Sequence, residues 1–285
     1  MIKNCLNLFR YKDWSKNIII FFPFIFSYNI KDFNQLINLI IIFLAFSLLC
    51  SAIYILNDIL DVEKDRNHSI KRKVKPIASG NISLKFAKVC LGIVTLLLIL
   101  LFLLTDIFEI HFIAYLIIAI LYNILLKKII FFDVIILSFG YLIRLDLGST
   151  VIGVQTSTNL ILCILSLIFF ILFIKRYVEL SNEKNTRLSL KYYNAVSLFY
   201  LIQFSAIFFL VTCIYFILYE NQFLIFSFPF LVYNIYRYYQ IAIYKRLGEF
   251  PIDVVIKEKY EGQYFLRSYD THKKIERKVL ITSFK

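Results

Sequence analysis

Long runs of Ile, Leu and Phe fill this chain, broken by short polar links. None of the runs alternates apolar and polar residues with period two, so they predict helices rather than the strands of a membrane barrel. A spanning helix needs about 20 mostly apolar residues. On that scale eight segments stand out: residues 17–27, 36–56, 84–105, 110–126, 129–152, 160–174, 195–219 and 223–243. The first is short, with a start as early as Asp13. Pro23 interrupts it and no small-residue cleavage site follows, so it reads as a span rather than a cleaved signal. Residues 244–285 hold ten basic and six acidic side chains and no apolar run near spanning length. The predicted organisation is an all-α, polytopic transmembrane helix bundle over 1–243, followed by a charged tail over 244–285. No internal repeat is visible.

Composition agrees. Of 285 residues, 60% are hydrophobic and only 18% charged, against roughly 45–50% apolar in soluble domains. A water-soluble globule of this size has too little interior for so much apolar surface. With 7 Gly, 4 Pro and five scattered cysteines, collagen, disordered and disulfide-scaffold classes are excluded. The cysteines show no CxxC spacing and read as packing residues. The three histidines are far apart, and none has metal-ligand spacing.

The net charge of +13 is distributed unevenly. Lys3, Arg10, Lys12 and Lys16 precede the first span. Residues 64–75 fill the second link with cations, Lys127 and Lys128 follow the fourth span, and residues 175–191 follow the sixth. The opposite links carry Lys31, Asp32, Asp106, Glu109 and Glu220. The positive-inside rule then predicts a multi-pass protein of the cytoplasmic (inner) membrane with both termini cytoplasmic. The lipid bilayer is thus the first partner. Nucleic acid is not expected, because no folded basic domain stands apart from the membrane. Monomer and homo-oligomer both stay open.

The informative polar stretch is Asn57–Asp58–Ile59–Leu60–Asp61–Val62–Glu63–Lys64–Asp65. At about 100° per residue, Asp58, Asp61 and Asp65 share an arc of about 60° on one helix face, with Asn57 at its border. Like charges so placed repel, and oxygen-only ligands suit Mg²⁺, which takes a few carboxylates together with phosphate oxygens and water. The plainer alternative is a solvated acidic helix end. Lys71, Arg72, Lys73 and Lys75 lead into Pro76–Ile77–Ala78–Ser79–Gly80 just downstream. A carboxylate–metal platform beside a basic loop is the arrangement expected for a diphosphate substrate.

The Asn-Asp-x-x-Asp-x-x-x-Asp pattern resembles the UbiA superfamily of intramembrane prenyltransferases. Trp14–Ser15–Lys16–Asn17, Lys75–Pro76–Ile77–Ala78–Ser79–Gly80 and Lys175–Arg176–Tyr177–Val178–Glu179–Leu180 are similar to one branch of it, the decaprenyl-phosphate phosphoribosyltransferases. The resemblance implies a nine-helix fold, one more helix than the eight visible segments. It also implies transfer of 5-phosphoribosyl from phosphoribosyl pyrophosphate to a polyprenyl phosphate, yielding a lipid-linked pentose for cell-envelope glycans. Other members of the superfamily ionise a prenyl diphosphate with help from a second aspartate-rich motif. At the matching place this chain has Lys175, Arg176, Glu179 and Glu183 instead, which favours a substrate with an additional phosphate.

On this reading Asp58, Asp61 and Asp65 are the catalytic carboxylates and the ligands of Mg²⁺, with Asn57 in support. Substrate contacts are expected from Lys16, Asn17, Lys71, Arg72, Tyr122, Lys127, Arg144, Lys175, Arg176 and Glu179. For Arg144, in the fifth span where charge is costly, a structural ion pair to another helix is an equal expectation. By its helical phase Arg144 shares a face with Asp133, both looking into the bundle. Two alternatives remain: a prenyltransferase acting on an aromatic acceptor, and a transporter or flippase of a lipid-linked sugar. Against the transporter stand the missing repeat and the position of the acidic motif at one mouth rather than at the midplane.

Overall fold

A computed structural model describes residues 2–27, 32–67, 71–105, 109–124, 129, 131–181, 190 and 193–244. The tail from residue 245 to 285, Lys127, Glu183 and the side chain of Lys71 lie outside the described residues. Among the described residues there are helices and no strands. The chain divides into two compact units, residues 1–123 with 139–156, and residues 124–138 with 157–285.

The first unit begins with helix α1 (Ile2–Phe9), a 3₁₀ segment (Tyr11–Phe21) and the short α2 (Phe22–Phe26). Then come α3 (Phe33–Leu60), α4 (Val62–Arg66), α5 (Lys71–Val74), α6 (Leu84–Thr105) and α7 (Ile110–Ile124). Helix α8 (Phe132–Val151) contributes its residues from Phe139 onward. The second unit holds the first residues of α8 with α9 (Thr158–Ser181), α10 (Ala195–Tyr219) and α11 (Phe228–Tyr244), the last preceded by a 3₁₀ turn (Gln222–Ser227).

Among the described residues five helices, α3, α6, α8, α9 and α10, are long and apolar enough to cross a membrane. Helix α7 is shorter, with 15 residues. The first expected span is not an α-helix over its length. Its eleven-residue 3₁₀ segment and five-residue α2 reach about 30 Å together, because a 3₁₀ helix rises about 2.0 Å per residue and an α-helix about 1.5 Å.

That winding has a packing reason. In a 3₁₀ helix, residues three apart eclipse one another, and Trp14, Asn17 and Ile20 form such a stripe. The Trp14 indole donates to Ser51 Oγ at 3.0 Å and the Asn17 amide to Ser47 Oγ at 2.8 Å. Ser47 and Ser51 lie one turn apart on α3. Three 3₁₀ residues and four α residues both advance about 6 Å, so the stripes stay in register along the two antiparallel elements. Apolar attraction between helices is weak in lipid, and small residues with interhelical hydrogen bonds take its place. Ala45, Ser47, Cys50 and Ser51 on α3 are buried accordingly.

Around this seam Ile20, Phe24, Leu39, Ile42, Phe46, Leu98, Phe112 and Leu147 form one core. A second core of Leu8, Ile55, Val62, Ile77, Ile82 and Val94 sits beneath the end of α3. Asp32 starts α3 by accepting from the backbone N–H groups of Asn34 and Gln35 at 3.0 and 3.3 Å.

In the second unit α9 packs along α10, with Ser166 Oγ and Thr212 Oγ1 3.0 Å apart and Cys163 beside Cys213. Asn194 caps α10 through Val196 N. Phe170, Ile174, Val178, Ile202, Ile241 and Ala242 form its main core.

Gly148 lets α8 approach the 3₁₀ backbone, and a Cβ there would overlap the Ile20 carbonyl. Gly148→Ala should therefore destabilise the fold by about 1–3 kcal/mol, seen as a lower melting temperature in detergent. Gly92→Ala, on α6 where a Cβ meets nothing within 4 Å, should leave the melting temperature unchanged or raise it.

Candidate active site

The acidic motif sits where α3 ends. Asp61 leaves helical geometry at φ −91°, ψ 8°, yet Asp61 N donates to Asn57 O and Asp65 N to Asp61 O, each at 2.9 Å. The i to i−4 ladder thus continues through the break into α4. Asp58 and Asp65, two turns apart, stay on one face.

That face is closed by Lys75. Its Nζ lies 2.7 Å from Asp58 Oδ1 and 2.5 Å from Asp65 Oδ2, and Arg10 Nη2 donates to Asp58 Oδ1 at 2.9 Å. The two carboxylates are 3% and 2% exposed, whereas Lys75 and Arg10 are 20% and 29% exposed. The cations therefore cover the acids from the accessible side. Asp61 is half-buried, and no described side chain bonds to its carboxylate. Asn57 is half-buried and Arg72 exposed.

Local structure aims both cations. Arg10 is left-handed, with φ 49° and ψ 44°, a conformation that costs a non-glycine residue about 1–3 kcal/mol. The kink between α1 and the 3₁₀ segment places its guanidinium on Asp58 and 4.4 Å above the Tyr54 ring. Lys75 opens a turn in which Ser79 N donates to Lys75 O and Ile82 N to Pro76 O. Pro76, Ile77 and Ala78 are buried and anchor the turn. Gly80, at φ 81°, closes it where a side chain would be strained.

Could a divalent cation fit? The donor set is hard oxygen, and Asp58 with Asp65 already gathers on one positive centre, the Lys75 ammonium. Among the described residues no three His, Cys or carboxylate groups cluster tightly enough to cage an ion. Mg²⁺ does not need such a cage, since it is held by one or two carboxylates, substrate phosphates and water. The residues fit it.

Several residues expected to contact substrate have partners within the protein. Asn17 is fully buried, and its Oδ1 accepts from Arg144 Nε at 2.7 Å. Arg144 also donates to Gly140 O at 2.5 Å and to Tyr115 Oη at 3.0 Å, and faces the rings of Phe46 and Tyr115. The expected ion pair at Arg144 is thus a cage of neutral acceptors and ring faces. Asp133, expected on the same face, belongs to the other unit. Lys16 lies 2.5 Å from Asp13. Asp146 is 68% exposed and pairs with His111 at 2.9 Å.

In the second unit Arg176 is fully buried between Asp133, 2.7 Å from its Nε, and Glu179. The Tyr193 hydroxyl donates to Asp133 Oδ1 at 2.8 Å. Burial, and then the Asp133 carboxylate, push the Tyr193 phenol well above its ordinary pKa, so it stays a donor. Arg176, a candidate for a phosphate contact, lies here between two carboxylates. Lys175 and Tyr122 are half-buried.

The sequence reading placed Lys75 in the basic loop, Asp133 on the face of Arg144 and Arg10 before the first span, but assigned none of them, nor Tyr193, to a site. Lys75 had a signal, since the Pro-Ile-Ala turn after it is apolar enough to pin its position. Arg10 had none, because its contact depends on a left-handed kink.

The UbiA prenyltransferase family matches residues 18–249. The chain belongs to that family. An uncharacterized protein of Sinorhizobium fredii is 34% identical over 65% of this chain and 37% of its own length. A decaprenyl-phosphate phosphoribosyltransferase of Corynebacterium glutamicum is 30% identical over 62% of this chain and 54% of its own. One of Mycobacterium tuberculosis is 33% identical over 50% and 48%. The matches thus span between about a third and just over half of these relatives' own length. A UbiA homologue of Archaeoglobus fulgidus, solved with GPP and Mg²⁺, superposes with a TM-score of 0.64 at 15% identity, over 89% of this chain and 96% of that one. A structure described for digeranylgeranylglyceryl phosphate synthase gives 0.59 at 20%, over 90% and 93%. At such identities the likeness is one of fold; the family match and the five long apolar helices make this a multi-pass membrane protein of the UbiA type.

Arg176→Met would leave Asp133 and Glu179 facing each other in a buried site, at a cost of about 3–5 kcal/mol. The variant should melt markedly lower in detergent than the wild type. Removing one of the two facing charges with Asp133→Asn in the same chain should recover part of that loss.

Proposed function

We propose that the chain transfers 5-phosphoribosyl from phosphoribosyl pyrophosphate to a polyprenyl phosphate and releases pyrophosphate. Carrying this reading is the pair of buried carboxylates, Asp58 and Asp65, gathered on one cation beside Arg10. Such a pair suits a diphosphate delivered with Mg²⁺. Mg²⁺ would be held by Asp58 and Asp65, with Asp61 and Asn57 at the border, and when bound it supplies charge compensation to the departing pyrophosphate.

The second cluster supports the phosphoribosyl reading over prenyl transfer. Glu179 and Asp133 are held by Arg176, which is fully buried where Lys75 and Arg10 are part-exposed, so this pair is less open to a metal than Asp58 and Asp65. The decaprenyl-phosphate phosphoribosyltransferases among the relatives point the same way.

In the reaction an oxygen of the lipid phosphate bonds to C1 of the ribose as the C1–diphosphate bond breaks. C1 develops oxocarbenium character, as in glycosyl transfer generally. The lipid phosphate is already ionised at neutral pH, so no general base is required. The chain's own work is to position the two phosphates and to receive the leaving charge. Lys75 and Arg10 stand at the mouth where leaving oxygens emerge, and Arg72 is exposed one helix away. By the positive-inside rule, the cation-rich links favour a cytoplasmic orientation for this mouth.

A second reading, transfer of a prenyl group from its diphosphate to an aromatic acceptor, is favoured by the family and by the fold shared with a homologue holding GPP and Mg²⁺. Membranes carrying the chain, given labelled phosphoribosyl pyrophosphate, polyprenyl phosphate and Mg²⁺, should yield a labelled lipid and pyrophosphate. Chelation should stop the reaction, and Asp58→Asn should slow it at least about a hundredfold. Product from a prenyl diphosphate and a hydroxybenzoate, with none from the sugar donor, would decide for the second reading.

A further inference from the structure

The charges around Asp58 and Asp65 already balance. Among the described side chains these two carboxylates meet two cations in common, and Asp58 Oδ1 alone receives both, Lys75 at 2.7 Å and Arg10 at 2.9 Å. A divalent ion added to this arrangement would place like charges within a few ångströms of each other, in a site where both acids are almost fully buried. Coulomb repulsion at such distances is strong wherever water is largely excluded. Metal and resident cations therefore compete for the same oxygens.

The two cations are built to yield. Each is several-fold more exposed than the acid it covers. Lys75 carries its charge on four methylenes, while its backbone is pinned by buried Pro76, Ile77 and Ala78. Its ammonium can swing outward and stay within reach of the site. Arg10 does not depend on Asp58 alone, because in the same conformation its guanidinium lies over the Tyr54 ring at 4.4 Å. Neither cation is among the residues that the acidic motif singles out.

We infer that Lys75 and Arg10 are exchangeable counter-ions, which hold Asp58 and Asp65 until a divalent cation displaces them and which then turn to the phosphate oxygens arriving with it. The inference rests on the Mg²⁺ reading above and adds a consequence. Metal alone binds weakly, because it must expel two cations with no compensating anion. Metal and diphosphate together bind much more tightly, because the expelled cations find a new partner. The site thus discourages idle loading with metal and couples metal entry to substrate entry.

The test uses the full chain in detergent, Mn²⁺ as probe read by electron paramagnetic resonance, and inorganic pyrophosphate as the anion. In the wild type, pyrophosphate should tighten Mn²⁺ binding strongly. Lys75→Met should bind Mn²⁺ alone at least about tenfold more tightly than wild type, and pyrophosphate should then add little. Lys75→Arg should restore the wild-type pattern. Arg10→Gln should shift the same way as Lys75→Met while leaving the Lys75 bridge in place, which guards against a folding defect. If Mn²⁺ binds the wild type with pyrophosphate, but Lys75→Met and Arg10→Gln bind Mn²⁺ alone no more tightly, the counter-ion inference is overturned and the metal site stands. If none of the proteins binds Mn²⁺ under either condition, the metal reading fails and takes the inference with it.

Discussion

A charge placed inside a lipid-embedded bundle must find its partner within the protein, and this requirement shapes every polar feature of the fold. Three cations meet it in three ways. Lys75 bridges two carboxylates, Arg176 sits between two others, and Arg144 is held with no carboxylate at all. The last is possible because amide, carbonyl and phenol oxygens satisfy the guanidinium while aromatic faces lie against its charge. These differences sort the groups by role. Arg144 and Arg176 are enclosed and serve the architecture, whereas Lys75 and Arg10 are half open and serve the site.

The site depends in turn on backbone that departs from regular helix. Asp61 breaks α3 without breaking its hydrogen-bond ladder, so Asp58 and Asp65 keep a common face. Arg10 turns the chain through a left-handed residue and delivers its charge to the same place. The 3₁₀ winding of residues 11–21 keeps Trp14 and Asn17 in step with Ser51 and Ser47, and Gly148 gives it room. Each irregularity is held by packing on α3, which is therefore both the central helix of its unit and the carrier of the acids.

Much of this was legible from residue order. The limits of α6 and α10 coincide with the apolar runs, because hydropathy acts locally and a spanning helix satisfies its own backbone. The common face of Asp58 and Asp65 follows from helical phase alone. The first span was legible as apolar but not as 3₁₀, since its winding answers to a neighbouring helix. The roles of Asn17, Arg144 and Arg176 were not legible either, because a charged or amide side chain in an apolar run reads the same whether it faces a ligand or another helix.

By itself, then, the sequence determined that the chain crosses a membrane several times, that its acids cluster at the end of the second apolar run, and which family it resembles. These properties are written in composition and in spacings of a few residues. Only the tertiary structure decided which cation meets which acid. Arg10 reaches Asp58 across 48 positions, and Arg144 reaches Asn17 across 127. Such pairings are selected by shape and by the cost of leaving any one charge alone, and no local pattern records them.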